Sequence, residues 1–282
     1  VIEVGTDLDT AHSLAFADDG SLLVAGSGTL FRLTLDAART EAEREEILRY
    51  APSGQHSTRT IAIAPDGDLL ISHGSSCNVC WEADEERAAI IAAPPEGGAW
   101  RVVMRGLRNA VGVAIDPATG TAWATNNGRD LIGDDLPPET LYRVVDGADA
   151  GWPRCHAGDI VDPDFGEEPD PRTGLVGCDG VVPPEAKFQA HMAPLGIAFW
   201  DGGAVSAFHG SWTRSAKVGY EVWWLPWDDG PAGPPVTLMG GFLDPETGDA
   251  TGRPAGVTVG ADGALYVSDD KGGYIYRVVS DG

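Results

Sequence analysis

The sequence predicts an all-β chain that folds as a β-propeller of four-stranded antiparallel blades, with five blades visible and six as the alternative. Three observations support this fold class. A short apolar run, a two-residue turn built on Gly and a second apolar run recur five times in the 282 residues. The turn glycines are 47, 53, 83 and 60 residues apart, which is typical of one repeat per propeller blade. The repeats also lack the apolar periodicity of a helix.

Each copy of the repeat is predicted to be one antiparallel hairpin. Asp-Gly and Gly-Gly pairs supply the positive φ angles that a tight turn between twisted strands requires. In a propeller these hairpins form the inner strands of successive blades. The five copies, each with the apolar run that follows its turn, are Leu14–Gly20 with LLVA, Ile61–Gly67 with LLIS, Val113–Gly120 with AWAT, Ile197–Gly203 with VSAF, and Val257–Gly263 with LYVSD.

Three stretches lie outside the repeats. Residues 36–48 (DAARTEAEREEIL) are expected to be the one helix-like or solvated polar stretch. Residues 151–190 are rich in Pro, Gly and Asp and lack the repeat, which favours a long loop over a degenerate extra blade. This loop is expected to be an insertion into a single domain of residues 1–282. Residues 1–4 (VIEV) are a candidate for the strand that closes the ring against the last blade.

Composition excludes some classes of partner. The formal net charge is −24, from 43 acidic and 19 basic residues, so the Lys and Arg clusters needed for nucleic-acid binding are absent. The acidic excess fits solubility, tolerance of high salt or cation binding without choosing among them. The longest apolar stretches have about the length of a strand, so no membrane span is expected.

The cysteine count favours an exported protein. The four cysteines fit two disulfides, a local staple between Cys77 and Cys80 and a longer link between Cys155 and Cys178. Zinc binding is the less favoured alternative, because the chain has only one Cys-x-x-Cys pair. A thioredoxin-like redox role would need a βαβ context, which the repeats do not provide. We therefore expect a secreted or periplasmic protein with both disulfides formed.

Propeller topology predicts where functional side chains meet. The innermost strand of each blade starts at one mouth of the central channel, and the next strand returns to that mouth. Residues just before each first apolar run and just after each second one should therefore lie together. The first set is His12, His56, Arg59, Arg108, Asn109, His191 and Arg253. The second set is Ser75, Ser76, Asn126, Asn127, His209, Ser211, Asp269 and Asp270.

Several of these residues suit particular chemistry, although each also has a structural interpretation. His56 is a candidate general base, or a ring that only hydrogen-bonds a neighbouring blade. Arg108 and Arg253 in one cavity of an acidic protein are better explained by an anionic ligand than by surface ion pairs. Residues 126–135 (NNGRDLIGDD) are dense in oxygen ligands and glycine, so calcium or another hard cation is a reasonable hypothesis there.

With these residues assembled, the chain resembles the soluble glucose/sorbosone dehydrogenase family, whose members are β-propeller enzymes that use pyrroloquinoline quinone (PQQ). The resemblance runs from about residue 10 to the C-terminus and is closest to the sorbosone-type branch. The segments that carry it are GQHSTRT (54–60), GSSCNVC (74–80), GLRN (106–109), NGRDLIGDDL (127–136), GWPRC (151–155), APLG (193–196), HGSWTR (209–214), GRPAG (252–256) and LYVSD (265–269).

The resemblance implies a role for each matching residue, with PQQ and Ca²⁺ as cofactors. His56 matches the family's catalytic base, which removes the hydroxyl proton as hydride passes to the quinone. A neutral imidazole with a pKa near ~6.5 suits that step. The residues implied to contact the cofactor are Arg108, Asn109, Ser211, Trp212, Arg214 and Arg253. The residues implied to hold the metal are Gly128, Arg129, Asp134 and Asp135.

The chain departs from the family pattern at three points. Ser75 stands where glucose-type members have an Asp that orients the base. The lysine that contacts the cofactor in those members has no clear match, and Trp212 or Arg214 lies nearest. The family usually has six blades, and this sequence begins where the second blade would. Either the ring closes with five blades or one blade is absent from this sequence.

The hypothesis favoured by the sequence is a calcium- and PQQ-dependent oxidoreductase that oxidises an aldose, sorbosone or a related polyol. Its expected partners are a small sugar and an electron acceptor. Two alternatives of other classes stay open: a propeller lactonase or other metal hydrolase, and a binding propeller that has lost the cofactor. The hydrolase needs a cation held on the channel axis by carboxylates and amides, whereas the predicted mouth is rich in His and Arg.

Overall fold

The structure is a computed structural model that describes residues 5–38, 42–51 and 54–280. The candidate closing strand at residues 1–4 lies outside the described residues. Within the described ranges the chain forms β-strands joined by turns, and it has no helix that could cross a membrane. The strands are β1 (Ser13–Phe16), β2 (Leu22–Ala25), β3 (Thr29–Leu35), β4 (Ala42–Arg49), β5 (Ile61–Ile63), β6 (Leu69–His73), β7 (Ala89–Ala93), β8 (Arg101–Arg105), β9 (Ala110–Ile115), β10 (Ala122–Asn126), β11 (Glu139–Arg143), β12 (Ala148–Asp149), β13 (Cys155–His156), β14 (Ile160–Val161), β15 (Ala186–Phe188), β16 (Pro194–Trp200), β17 (Gly203–Phe208), β18 (Glu221–Pro226), β19 (Val236–Met239), β20 (Pro254–Val259), β21 (Leu265–Asp269) and β22 (Tyr274–Val278).

Five sheets are arranged as the blades of a propeller, which confirms the all-β, five-bladed prediction. The first blade is β1–β4, the fourth is β16–β19, and the third is β9–β11 with β15 as its outer strand. The second blade is β5–β8 and gains a fifth strand, because β12 pairs in parallel with β8. The fifth blade has three strands among the described residues, β20–β22. The predicted blade of four antiparallel strands therefore holds for the first, third and fourth blades.

The turns of the repeat have the positive φ angles that the sequence predicts, but the predicted length of two residues holds only for the fourth turn. The first, second and fifth turns enclose three residues and the third encloses four. The turn glycines with φ between 75° and 94° are Gly20, Gly67, Gly120 and Gly263. In the first turn the Gly20 N–H donates to Ala17 O and the Ala17 N–H donates to Ser21 O, which encloses three residues. The fourth turn has its positive φ angles at Asp201 and Gly202, because Gly203 already lies in β17.

Of the two expectations for residues 36–48, a helix-like or a solvated stretch, the helix is wrong for the described residues 42–48, whereas residues 43–46 are solvated. Ala42–Arg49 is strand β4, which pairs with β3 at the outer edge of the first blade. Ile47 and Leu48 are buried with side chains of the second blade, whereas the charged residues 43–46 are exposed. Pairing and these two apolar contacts outweigh the helix propensity of Glu and Arg.

Residues 151–190 contain secondary structure of their own. The strands β13 and β14 form a short hairpin, and β15 completes the third blade by pairing with β11. Both expected disulfides are present, Cys77–Cys80 and Cys155–Cys178. The second disulfide ties β13 to Cys178, 23 positions later in the same segment, and the pairing of β15 with β11 anchors the segment to the third blade.

The core lies between neighbouring blades. Leu23 and Ile71 are fully buried between the first and second blades, and Trp123 and Phe208 are fully buried between the third and fourth. The innermost strands β1, β5, β9, β16 and β20 line a central channel of about 880 Å³. The loops that precede β5, β9 and β16 consequently meet at one mouth of this channel, and the candidate site lies there.

Candidate functional site

A cavity of about 260 Å³ lies between the mouth loops of the second, third and fourth blades. It collects residues that are far apart in the sequence but close to the ends of inner strands. Its lining is Gln55, His56, Arg108, Asn109, Asn127, Gly128, Asp130, Glu139, His191, Ala193 and Trp212. One small cavity therefore combines two imidazoles, a guanidinium, two carboxylates and an indole.

The His56 ring is held in one orientation and one tautomer by Ser75. Ser75 Oγ lies 2.8 Å from His56 Nδ1, and Ser75 O lies 3.1 Å from it. The Ser75 hydroxyl donates its single proton to Cys77 O at 2.6 Å, so toward the ring it can only accept. Both neighbours of Nδ1 are acceptors, and the network assigns the ring proton to Nδ1. Nε2 keeps its lone pair, which is the arrangement a general base needs.

Burial keeps the His56 imidazole neutral. Desolvation, together with the positive charge of Arg108, lowers the pKa of His56 to about 3, although the hydrogen bond to the Ser75 backbone opposes this shift. The ordinary value of about 6.5 does not apply to this ring. Gly74 permits the tight packing, because a Cβ at that position would lie 2.5 Å from His56 Cβ. A negative charge entering the cavity would raise the pKa again, since it favours the imidazolium.

Arg108 is 3 % exposed and is fixed by four hydrogen bonds. Its Nε donates to Asn78 O at 2.9 Å and its Nη1 to Gly128 O at 2.5 Å. Its Nη2 donates to Asn78 Oδ1 and to Asp130 Oδ2, both at 2.8 Å. The adjacent Asn109 has a buried Oδ1 with no hydrogen-bond partner among the described residues. The cavity thus presents a rigid positive charge, while the Asn109 Oδ1 lies buried against Gly74.

Glu139 is a buried carboxyl group, 4 % exposed, that joins two loops of the site. It opens strand β11, and its Oε2 accepts the Gly128 N–H at 2.6 Å while its Oε1 accepts the Ala193 N–H at 3.4 Å. Desolvation raises the pKa of Glu139 to about 7, against the opposing effects of the Gly128 hydrogen bond and the Arg108 charge. This carboxyl group therefore changes its charge near neutral pH.

The residues predicted to contact a cofactor divide into two groups. Arg108, Asn109 and Trp212 line the cavity, and Ser211, Arg214 and Arg253 do not. Arg253 donates to backbone carbonyls at residues 209–210, and Arg214 pairs with Asp135 at 2.7 Å. Trp212 is 70 % exposed at the edge of the cavity, where its ring face is available for stacking on a planar ligand.

The residues predicted to hold a metal also fall into two groups, those that line the cavity and those that do not. Gly128 lines the cavity, and Arg129, Asp134 and Asp135 do not. Arg129 pairs with Asp162 at 2.5 Å and with Asp164 at 2.6 Å, and the Asp134 carboxylate accepts the Ser215 N–H. These contacts tie the loop after β10 to its neighbours. The carboxylates that do line the cavity belong to Asp130 and Glu139.

Sequence reasoning missed Glu139 and Asn78. Nothing near Glu139 in the sequence marks it, because its burial arises only when loops of two blades close around the start of β11. Asn78 had an indirect signal, since it lies between Cys77 and Cys80 in a segment that resembles the family. Asp130 lies inside the oxygen-rich stretch that the sequence did single out.

Comparison with known proteins identifies relatives of the chain. The TrAA12-like family model matches residues 1–137 and 167–281. An uncharacterized protein of Borreliella burgdorferi is 29 % identical over 239 residues, and this match spans 80 % of the chain but only 61 % of that relative. A pyrroloquinoline quinone-dependent sugar dehydrogenase of Hypocrea jecorina is 25 % identical over 321 residues, which span 95 % of the chain and 74 % of that relative.

Solved structures share the propeller. The calcium structure of the Trichoderma reesei Carbohydrate-Active Enzymes Family AA12 protein matches with a TM-score of 0.79 at 23 % identity, covering 94 % of this chain and 80 % of that chain. The holo form of the pyranose dehydrogenase PQQ domain from Coprinopsis cinerea matches with a TM-score of 0.79 at 24 % identity, covering 94 % of this chain and 81 % of that chain. Since the family model spans most of the sequence, the chain belongs to the TrAA12-like family.

Proposed function

We propose that this chain is a PQQ-dependent oxidoreductase that oxidises a sugar. The observation that carries the proposal is the neutral His56 imidazole, with Nε2 unprotonated, in one cavity with Arg108 and Asn109. Membership of the TrAA12-like family supports it, as does similarity to a relative named a pyrroloquinoline quinone-dependent sugar dehydrogenase.

The cavity is compatible with a compact, anionic, carbonyl-rich cofactor. Its volume of about 260 Å³ is just below the range of typical small-molecule sites, roughly 300–1,000 Å³. Asn109 lines the cavity with a side-chain amide, a group that can hydrogen-bond a polar ligand. Arg108 offers positive charge to an anionic edge, and Trp212 offers a ring face to a planar one.

Proton removal is the part of the reaction that the protein's own residues perform. PQQ, when bound, supplies the two-electron acceptor for hydride. His56 Nε2 accepts the proton of the sugar hydroxyl, while Ser75 holds the Nδ1–H and so keeps the ring in place. The fixed charge of Arg108 stabilises negative charge that develops in the cavity. An anionic cofactor beside His56 would also raise its pKa from about 3 toward the value of a working base.

We propose that calcium binds at Gly128 O, Asp130 and Glu139. Calcium prefers carboxylate and carbonyl oxygens, and both carboxylates line the cavity next to Gly128. Gly128 O and Asp130 Oδ2 accept hydrogen bonds from Arg108, so a bound cation would have to share or displace these contacts. This assignment keeps the predicted Gly128 and replaces Arg129, Asp134 and Asp135, which do not line the cavity. Because the pKa of Glu139 is raised to about 7, calcium binding should require loss of its proton.

We further propose the setting in which this activity operates. The substrate is a small sugar such as an aldose or sorbosone, and an external acceptor reoxidises the cofactor. The two disulfides favour an exported protein, secreted or periplasmic, because such bonds persist in oxidising compartments.

Reconstitution tests this function. The purified protein is mixed with PQQ and CaCl₂, freed of unbound cofactor by gel filtration, and assayed for dye reduction with a panel of aldoses, sorbosone and lactones. We expect quinone absorbance to travel with the protein and at least one sugar to reduce the dye. Absence of bound quinone, or lactone hydrolysis that needs the metal but not the quinone, would contradict the proposal.

A further inference from the structure

The Cys77–Cys80 disulfide closes a four-residue ring that contacts both halves of the candidate site. On one side, Cys77 O accepts the Ser75 hydroxyl that in turn accepts the His56 Nδ1–H. On the other side, Asn78, which follows Cys77, contacts Arg108 and the loop after β10. The ring thus contacts the cationic group directly and is linked to His56 through Ser75, from a single short segment.

Asn78 makes four hydrogen bonds on that second side. Its backbone oxygen accepts Arg108 Nε at 2.9 Å, and its Oδ1 accepts Arg108 Nη2 at 2.8 Å. Its Oδ1 also accepts the Asp130 N–H at 2.9 Å, and its Nδ2 donates to Asp130 O at 3.1 Å. One side chain therefore fixes the Arg108 guanidinium and both the backbone N–H and the backbone C=O of Asp130, the residue that pairs with it.

The chemistry of an amide suits this position. The guanidinium can only donate, whereas the Asp130 backbone presents both a donor and an acceptor, so the side chain between them must offer both. An asparagine does so without adding a charge next to the Asp130 carboxylate. Losing its Oδ1 would leave the Arg108 Nη2 with one fewer acceptor at a site that is 3 % exposed, which is costly for a buried cation.

We propose that Asn78 is a positioning residue that aligns Arg108 and Asp130, and that the Cys77–Cys80 disulfide holds Asn78 in this role. The consequence for cofactor binding rests on the proposed function, but the alignment itself does not. The disulfide restricts the backbone that carries the Asn78 carbonyl, one of the two acceptors that Asn78 offers to Arg108.

The test compares two site variants with a matched disulfide control. The site variants are Asn78→Ala and the double variant Cys77→Ser/Cys80→Ser. The control is Cys155→Ser/Cys178→Ser, which removes the other disulfide, in the 151–190 segment. PQQ affinity is measured by absorbance titration in CaCl₂, and hydrogen exchange of the Asp130 amide is measured in protein without cofactor.

We expect both site variants to bind PQQ about ten- to a hundredfold more weakly, the effect of one hydrogen bond to a charged group. We also expect faster exchange at the Asp130 amide in both, with the control unchanged in both readouts. The Cys77→Ser/Cys80→Ser variant keeps Asn78 itself, so it tests the positioning role even if Asn78→Ala does not fold.

Two results overturn the positioning role. One is parent-like PQQ affinity and parent-like Asp130 exchange in the site variants; the other is an equal effect in the control. If the parent protein binds no PQQ, the proposed function fails, and the exchange measurement alone then supports or overturns the role of Asn78.

Discussion

The state of His56 depends on contacts that a sequence does not display. Burial, with the charge of Arg108 as a second cause, lowers the pKa of this ring to about 3. The unfolded chain takes up a proton here near pH ~6.5, whereas the folded chain does so only near pH 3. The group therefore stabilises the fold fully above about pH 6.5, and this stabilisation is lost as the pH falls toward 3.

We predict that His56 stays neutral from about pH 5 to pH 8 in the protein without ligand, because burial and Arg108 disfavour the imidazolium. Histidine NMR titration measures this directly, with His56→Gln as the control that identifies the resonance by its loss. Addition of an anionic ligand should raise the midpoint. A titration midpoint near 6.5 in the free protein would contradict the electrostatics of the site.

Glu139 should make the stability of the fold depend on pH in the opposite direction to His56. Its pKa rises from 4.5 to about 7 on folding, so its contribution to stability is present below pH 4.5 and is lost as the pH rises through 7. At 1.36 kcal/mol per pKa unit, the free energy of unfolding should fall by up to about 3 kcal/mol across this range relative to Glu139→Gln. Urea unfolding of both proteins in chelator at pH 5 and pH 8 measures it. Parallel stabilities at both pH values would show that Glu139 does not titrate as stated.

The same carboxyl group should make calcium affinity increase with pH. Since the proposed site needs the Glu139 carboxylate, calcium affinity should be higher at pH 8 than at pH 6, and Glu139→Gln should weaken binding at pH 8. Isothermal titration with CaCl₂ gives both affinities. Asp134→Asn is the matched control, because Asp134 does not line the cavity and should leave calcium binding unchanged. A greater loss of calcium affinity in Asp134→Asn than in Glu139→Gln would indicate that the cation binds at the residues predicted from the sequence, which include Asp134.

At the scale of residues, the sequence correctly predicted which residues meet at the mouth when their position follows from the propeller topology alone. His56, Arg108 and Asn109 precede inner strands, and the loops before inner strands meet at one mouth. Arg253 and Asp134, predicted to bind cofactor and metal, do not line this cavity, and their side chains bond to nearby loops. Side-chain direction in a loop depends on partners from other blades, and a single sequence does not reveal them.

At the scale of elements, the positions of the hairpin turns and their positive φ angles were predictable because their chemistry is local, whereas the predicted length of two residues holds only for the fourth turn. Gly67 has a φ of +94°, which the Asp-Gly signal anticipates. Strand β4 was not predictable, since Glu- and Arg-rich Ala42–Arg49 has helical composition and becomes a strand only by pairing with β3. The disulfides were predictable from the cysteine count in the absence of any second metal-like pair.

We predict that Gly67→Ala lowers stability by about 1–2 kcal/mol, the cost of left-handed backbone for a residue with a Cβ. A Cβ at Gly67 would meet nothing within 4 Å, so the loss would come from the backbone alone. Gly233→Ala is the control, because its Cβ would make only an ordinary contact with Pro226 at 3.5 Å. Chemical denaturation compares the three proteins. Equal stability of all three would show that the second hairpin does not require the positive φ.

At the scale of the whole molecule, the five-bladed ring was predictable from the repeat, whereas the assembly of the blades was not. The parallel addition of β12 to the second blade and the use of β15 in the third arise from chain segments without the repeat. That residues 1–282 form a single domain stays a prediction. The net charge of −24 is also a property of the whole molecule, and it should make stability depend on ionic strength.

We predict that the melting temperature rises with ionic strength. Mutual repulsion in a chain with a charge of −24 destabilises the compact state, and salt screens it. Thermal unfolding in chelator from low to high NaCl measures the effect, with choline chloride as a control for specific sodium binding. A melting temperature that falls with both salts would mean that surface ion pairs outweigh the net repulsion.

The turnover of His56→Ala loaded with PQQ tests most directly whether His56 is the base of a PQQ-dependent sugar oxidation. We predict that this variant binds the quinone comparably to the parent but oxidises sugar about 10²–10⁴-fold more slowly, the usual contribution of a positioned base. Turnover within a few-fold of the parent at equal cofactor loading would contradict it.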